Sequence, residues 1–376
     1  ASIKVTVPSG YTALAEGELV EVETLDDRSV YSYRTEAPIT AMGISVGLFE
    51  QVGTAQSGGV SVEAWRPKGH VSWVNQMAED ASLAMGALQE RLGPLPVSTF
   101  RVVDVPFYFG VSYADLHNLT YGGDLHELDV TTREERALMV AHESAHKWLG
   151  RTAGMQLVGS SWVLEGLAEY LGSRALEAIL PTQSIQKLFR ERTYTPFVEA
   201  SRGRTRSLSS IEVFDEDGQW LFQKGALLFR MLHRRLGDPL FDAVLRRFLE
   251  SYQKDHADEL GLERPGTSSA DLTDFFRAWA EGRQTLDYSL RVQVDEAIDG
   301  GYDLRLTVES LGRLTEPGPV DVAVWTDSGR RIDLSLQLGE VHAVYVEEEP
   351  ISAQLDPDLW LADVNPTNNL WEKEDS

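Results

Sequence analysis

The chain contains no cysteine in 376 residues. Disulfides and thiolate metal sites are therefore excluded, and any strong zinc ligand must be His, Asp or Glu. No stretch approaches the roughly 18 consecutive apolar residues of a membrane-spanning helix, and the first residues lack the basic-then-apolar order of a signal peptide. Positive charge is scarce as well: 34 Lys and Arg stand against 59 Asp and Glu, a formal net charge of −25. A surface of that sign repels nucleic acid and anionic membranes, so neither is expected as a partner, and phosphate binding is disfavoured. The acidity reads as a solvated surface rather than as selection for cationic substrates. The lack of cysteine suits secretion and does not exclude the cytosol; an extracytoplasmic compartment is only slightly favoured.

What is present is the balance of a soluble globular protein, 42% hydrophobic and 25% charged residues, at a length that suits two or three domains. The chain opens directly in strand-like sequence, Ser2-Ile3-Lys4-Val5-Thr6-Val7, as a piece cut from something longer does. Short alternating runs separated by Pro8-Ser9-Gly10 and Gly58-Gly59 predict strands and turns to about residue 65. Apolar residues at spacings of three and four from Val71 to Leu92, closed by Gly93-Pro94, predict an amphipathic helix. Val102 to Tyr108 reads as a buried strand. Helices are then expected over Glu134 to Leu149, Trp162 to Ile179, Gln219 to Leu236, Pro239 to Tyr252 and Ala270 to Glu281. After about Leu286 alternation returns in five or so short strands, the pattern of a small β-sandwich. The fold class expected is α+β and multidomain, divided as residues 1–58, 59–285 and 286–376.

The chemistry is concentrated in His142-Glu143-Ser144-Ala145-His146, inside a predicted helix opened by Thr131 or Thr132 with Glu134 or Glu135 three residues on. Histidines four apart stand on one helix face a turn apart, so both imidazoles reach one tetrahedral ion. The glutamate beside the first is placed to take a proton from water at that ion, the role of a general base. Leu138, Ala141, Ala145 and Leu149 form the opposite, burying face. Glu165 follows nineteen residues after His146, at the start of the next helix. Two antiparallel helices would bring its carboxylate to the histidines as third ligand and leave a fourth position open, as catalytic zinc requires. The expected metal ligands are thus His142, His146 and Glu165, for one Zn²⁺ per chain, with Glu143 as the catalytic base and a peptide as substrate.

These motifs give the chain a family likeness. His-Glu-x-x-His-x(18)-Glu, Trp148, Trp162-Val163-Leu164-Glu165-Gly166-Leu167-Ala168, and Lys224-Gly225-Ala226 with Met231-Leu232 resemble the aminopeptidase N family of gluzincin zinc peptidases over roughly residues 1–280. The resemblance implies a zinc metallopeptidase. Its first residues would be the tail of an amino-terminal β-sandwich, its middle a thermolysin-like catalytic domain, and its end, with Leu355 to Leu361 and Asn365 to Asn369, an Ig-like sandwich.

Two places depart from the family pattern. Phe222 stands where the family carries a tyrosine whose hydroxyl stabilises the oxyanion, and a phenyl ring cannot donate that hydrogen bond; Tyr170 or Tyr194 are the substitutes the sequence offers. In Gly110-Val111-Ser112-Tyr113-Ala114-Asp115-Leu116-His117 there is no glutamate to hold a substrate amine, with Ser112 nearest the missing position and Asp115 a possible substitute. These departures support a second reading, a zinc-containing peptide-binding module with weak or lost catalysis. A third, another zinc-dependent hydrolase with a non-peptide substrate, has no specific support. Glu169, one turn after Glu165, reads as a solvated acid. His117, His126, Arg202, Arg204 and Arg206 read as surface-loop residues, and Trp148 and Trp162 as core packing.

Overall fold

A computed structural model describes residues 1–35, 42–95, 97–105, 113–115, 117–122, 132–149, 161–202, 206–211, 215–254, 274–298 and 300–373. The first five strands, β1 (Ser2–Pro8), β2 (Thr12–Ala15), β3 (Glu18–Thr24), β4 (Arg28–Arg34) and β5 (Ile44–Gly47), form an antiparallel sheet in the order β1-β4-β3 and a separate β2–β5 pair. Tyr33 joins the two: its ring is buried and its hydroxyl donates to the Ala13 carbonyl at 2.7 Å.

A mixed five-stranded sheet follows, built from β6 (Phe49–Ser57), β7 (Val60–Pro67), β8 (Thr99–Asp104), β9 (Tyr113–Ala114) and β10 (Asn118–Tyr121) in the order β6-β7-β8-β10-β9. The boundary expected between residues 58 and 59 falls in the turn of the β6–β7 hairpin. Gly58 and Gly59 carry φ of 51° and 91°, the positive values a two-residue hairpin turn requires. Hence Phe49–Ser57 lies in the sheet of the middle segment and not with the strands before it. Helix α1 (Val74–Leu92) crosses over between the parallel strands β7 and β8, laying Met77, Ala81, Met85 and Leu88 on the core. The central strand β8 is buried on both faces, from Phe100 to Asp104.

Helices α2 (Arg133–Ala145) and α3 (Ser161–Ala175) pack beside this sheet, followed by α4 (Thr182–Phe189) and α5 (Thr195–Ser201), joined by a π-helical turn at Arg190–Tyr194. The run from α4 to α5 lies outside the helices singled out in the sequence. Helices α6 (Gln219–Leu236) and α7 (Asp238–Lys254) complete the layer. Backbone meets backbone where α3 crosses α6: a Cβ on Gly166 would stand 2.6 Å from the Gly225 Cα. No side chain larger than hydrogen fits at either glycine, which is why each motif carries one.

Strands resume as β11 (Tyr288–Glu296), β12 (Tyr302–Ser310), β13 (Val320–Thr326), β14 (Arg331–Leu336), β15 (Val341–Val346), β16 (Pro350–Leu355) and β17 (Leu370–Glu372), in two antiparallel sheets, β11-β12-β15 and β14-β13-β16-β17. Leu304, Leu306 and Val308 of one sheet and Val322, Val324 and Leu355 of the other belong to the same apolar core. This module is fastened to the helices. Arg230 of α6 lies between the rings of Phe189 and Trp360, 4.4 and 4.3 Å from their centroids, and donates to the carbonyls of Asp358 and Leu359. The turn it grips is held by Asp356, whose buried carboxylate accepts the backbone N–H groups of Trp360 and Leu361. Among the described residues no helix is long and apolar enough to cross a membrane.

Candidate metal centre

Helix α2 begins with a capping box: the Thr132 hydroxyl accepts the Glu135 N–H, and the Glu135 carboxylate accepts the Thr132 N–H. Ala137, Ala141 and Ala145 bury one face, while His142, Glu143 and His146 lie at 9%, 9% and 7% exposure. Helix α3 runs back along α2. Glu165 meets His146 near the end of α2, and Glu169 and Gly172 meet His142 one turn earlier. Gly172 permits the approach, since a Cβ there would be 2.7 Å from the His142 amide nitrogen.

The crossing brings three ligand atoms together. His142 Nε2 and His146 Nε2 are 3.1 Å apart, and Glu165 Oε2 is 3.4 Å and 3.2 Å from them. A tetrahedron with bonds of about 2.0–2.1 Å has edges of about 3.3 Å, so the triangle has the dimensions of one face of a tetrahedral zinc site. Two imidazole nitrogens and one carboxylate oxygen are also the donor set of catalytic zinc. Among the described residues this is the group whose ligand atoms converge in this way.

The electrostatics favour a cation at the same point. Burial opposes charging His142, but the carboxylates of Glu165 and Glu169 outweigh it and raise its pKa well above the ordinary value. Burial likewise works to raise the pKa of Glu165, and the hydrogen bonds from His142 and His146 overcome it, holding the carboxyl far below its usual range. The pocket is thus arranged to retain positive charge, which a divalent ion supplies.

Glu169, read from the sequence as solvated, is partly buried with Oε2 2.9 Å from His142 Nδ1. A carboxylate only accepts, so it fixes the proton on Nδ1 and turns Nε2 to the metal position. Its only signal in the sequence was its place four residues after Glu165. Phe222 of α6 also reaches the site, its ring centroid 5.8 Å from that of His142. The tyrosines offered in its stead do not serve. Tyr170 is buried with its hydroxyl on His233 Nδ1, and Tyr194 donates to the Asp363 carbonyl at 3.2 Å. Lys224 is turned away to the Arg206 carbonyl at 3.2 Å, and burial lowers its pKa to about 8.

The other candidates divide. Asp115 is buried, with its carboxylate accepting the N–H groups of Gly43, His117 and Asn118, so it offers no free oxygen toward a substrate amine in this arrangement. His117 is no surface residue either: Nδ1 is 2.8 Å from Glu16, and burial lowers its pKa to about 4. Trp148 packs as expected and donates its indole N–H to the Gly93 carbonyl at 3.0 Å. Arg202 is exposed, and Arg206 is paired with Asp217. Gly110, Val111, Ser112, Leu116, His126 and Arg204 lie outside the described residues.

Comparison with known proteins points the same way. Residues 121–279 match the Peptidase family M1 domain. The chain is 24% identical to Aminopeptidase M1-A of Oryza sativa subsp. japonica over 269 residues, 68% of this chain and 30% of that protein. It is 29% identical to Aminopeptidase N of Lactococcus lactis subsp. lactis over 161 residues, 40% of this chain and 19% of the relative. The chain therefore spans about a third or less of the curated relatives it matches. Among solved structures it resembles an M1 zinc metallopeptidase from Deinococcus radiodurans, with TM-score 0.57 and 21% identity, covering 75% of this chain and 64% of the other. A two-domain M1 zinc metallopeptidase variant bound to L-arginine gives TM-score 0.60 at 20% identity, covering 75% and 63%.

Proposed function

The domain at residues 121–279 makes this chain a member of the aminopeptidase N family of gluzincin zinc peptidases, and on that premise we propose that it hydrolyses peptide bonds at a zinc ion held by His142, His146 and Glu165. The observation that carries the proposal is the convergence of the three ligand atoms at 3.1 to 3.4 Å, with Glu169 behind His142. Zinc bound there supplies a Lewis acid that polarises the scissile carbonyl and acidifies water. Glu143 takes the proton from the attacking water and delivers it to the leaving amine. Glu169 keeps the His142 ring in one tautomer throughout. In this reading the middle of the chain, from strand β6 to about residue 285, is a thermolysin-like catalytic unit and residues 286–376 are an Ig-like sandwich docked on α6 through Arg230.

One observation favours a weaker enzyme, or a peptide-binding module that keeps the metal. The phenyl ring of Phe222 stands against His142, where it has no proton to give an oxyanion. Loss of one such donor costs on the order of a hundredfold in turnover.

Hydrolysis of amino-terminal arylamides, run beside an N-blocked internally quenched peptide library with zinc content measured on the same sample, separates the readings. Chelator-sensitive cleavage of the free-amine substrates alone supports the aminopeptidase. Zinc at one per chain with no cleavage of either set supports the binding module.

A further inference from the structure

We propose that Lys147 is a positioning residue for the metal centre: by gripping the β9–β10 turn from the end of α2, it fixes where His146 stands. This rests on His142, His146 and Glu165 being the metal ligands.

His146 is the last residue that α2 controls. It caps the helix, and the next two amides fall back to three-residue spacing, Lys147 N–H to the Ser144 carbonyl and Trp148 N–H to the Ala145 carbonyl, each at 3.1 Å. A helix end frays unless tertiary contacts hold it, and a ligand on a fraying end would blur the metal geometry. The two residues after His146 supply those contacts in different directions. Trp148 reaches the end of α1 through the Gly93 carbonyl. Lys147, at 0% exposure, donates its ammonium to the carbonyls of Asp115 and Asn118, the latter at 3.3 Å, above the ring of Phe100 at 4.5 Å.

A buried ammonium is costly, and an apolar chain of similar length would fill the space without that cost. What the ammonium adds is direction, two carbonyl oxygens at fixed places. The turn it holds is itself braced. The Asp115 carboxylate accepts the amides of His117 and Asn118 at 3.1 and 2.7 Å and that of Gly43 at 3.1 Å. Glu16, fully buried, accepts the His117 amide at 3.2 Å and contacts its Nδ1 at 2.8 Å. Arg101 donates to Asn118 Oδ1 at 3.4 Å and to the Gly17 carbonyl at 3.2 Å. Contacts therefore run without a break from Glu16, between the second and third strands, through the turn to Lys147 and so to His146. The first β segment is part of the metal-binding unit and not only a neighbour of it.

The test uses the whole chain with Co²⁺ in place of Zn²⁺, whose visible absorption reports ligand geometry, together with zinc affinity by chelator competition. Lys147→Met is expected to change the cobalt spectrum and weaken zinc binding about tenfold. Lys147→Arg, which keeps a donor, should recover most of both, and Glu16→Gln should shift them in the same direction by less. A folded Lys147→Met with the parent's spectrum and affinity overturns the proposal, as does a Lys147→Arg no better than Lys147→Met. Should Lys147→Met not fold, Glu16→Gln decides by the same two readouts. A parent chain that binds neither ion refutes the ligand assignment itself, and this inference with it.

Discussion

Glu169 Oε2 lies 2.9 Å from His142 Nδ1, one turn along α3 from the carboxylate that meets the other side of the same ring. The two glutamates thus hold His142 from both nitrogens. Replacing Glu169 by Ala frees the ring to rotate and removes the acceptor that selects its tautomer. Zinc affinity is expected to fall about 10- to 100-fold, measured by chelator competition. Unchanged affinity would mean that Glu165 and His146 alone orient the ring.

Gly172 sets how closely α3 approaches α2. A methyl group there would lie 2.7 Å from the His142 amide nitrogen and 2.8 Å from its Cα, both backbone atoms that cannot step aside. Gly172→Ala is expected to destabilise the protein by about 1–3 kcal/mol and to weaken metal binding, because the helices separate at the ligand itself. Chemical denaturation and metal titration of one preparation check both.

Phe222→Tyr places a hydroxyl on the ring that faces His142. If the missing donor limits turnover, kcat should rise by on the order of tenfold or more with zinc content unchanged. A kcat no higher than the parent's would show that the ring does not face the reacting carbonyl.

Asp356 is buried, and burial lifts its pKa from the ordinary 3.8 to about 6 despite the backbone N–H bonds from Leu361 and Trp360. The native state therefore holds this proton more tightly than the unfolded chain does. The resulting stability is fully present below pH 3.8 and is lost as pH rises through about 6. Asp356→Asn removes the titration and the charged acceptor, at a cost of about 1–3 kcal/mol. Its deficit relative to the parent should be larger near pH 4 than near pH 7. Thermal unfolding at both values tests the sign, and a deficit that grows with pH contradicts it.

The metal cluster was legible because its geometry is local. His142 and His146 share a helix face by spacing alone, the capping box sits three residues apart, and Glu165 opens the next helix. Gln219–Leu236 appears as expected for the same reason. What stayed hidden depends on contacts distant in sequence. The sequence around Glu169 is the same whether the acid is solvated or pressed against His142. No periodicity reports that Glu16 meets His117, a pair 101 residues apart, so His117 reads as a surface-loop residue and Asp115 as a substitute for the amine-holding glutamate until the first β segment is folded against them. Gly58-Gly59 marks a turn in either reading, and only the strand pairing shows that it lies inside a hairpin rather than between segments.

In the proposed mechanism Glu143 moves the proton at a zinc ion held by His142, His146 and Glu165. The most direct measurement is zinc content and peptide hydrolysis of Glu143→Gln beside the parent, under identical loading. About one zinc per chain is expected in both, with hydrolysis nearly abolished in the variant. A zinc-loaded Glu143→Gln that cleaves at the parent's rate would contradict it.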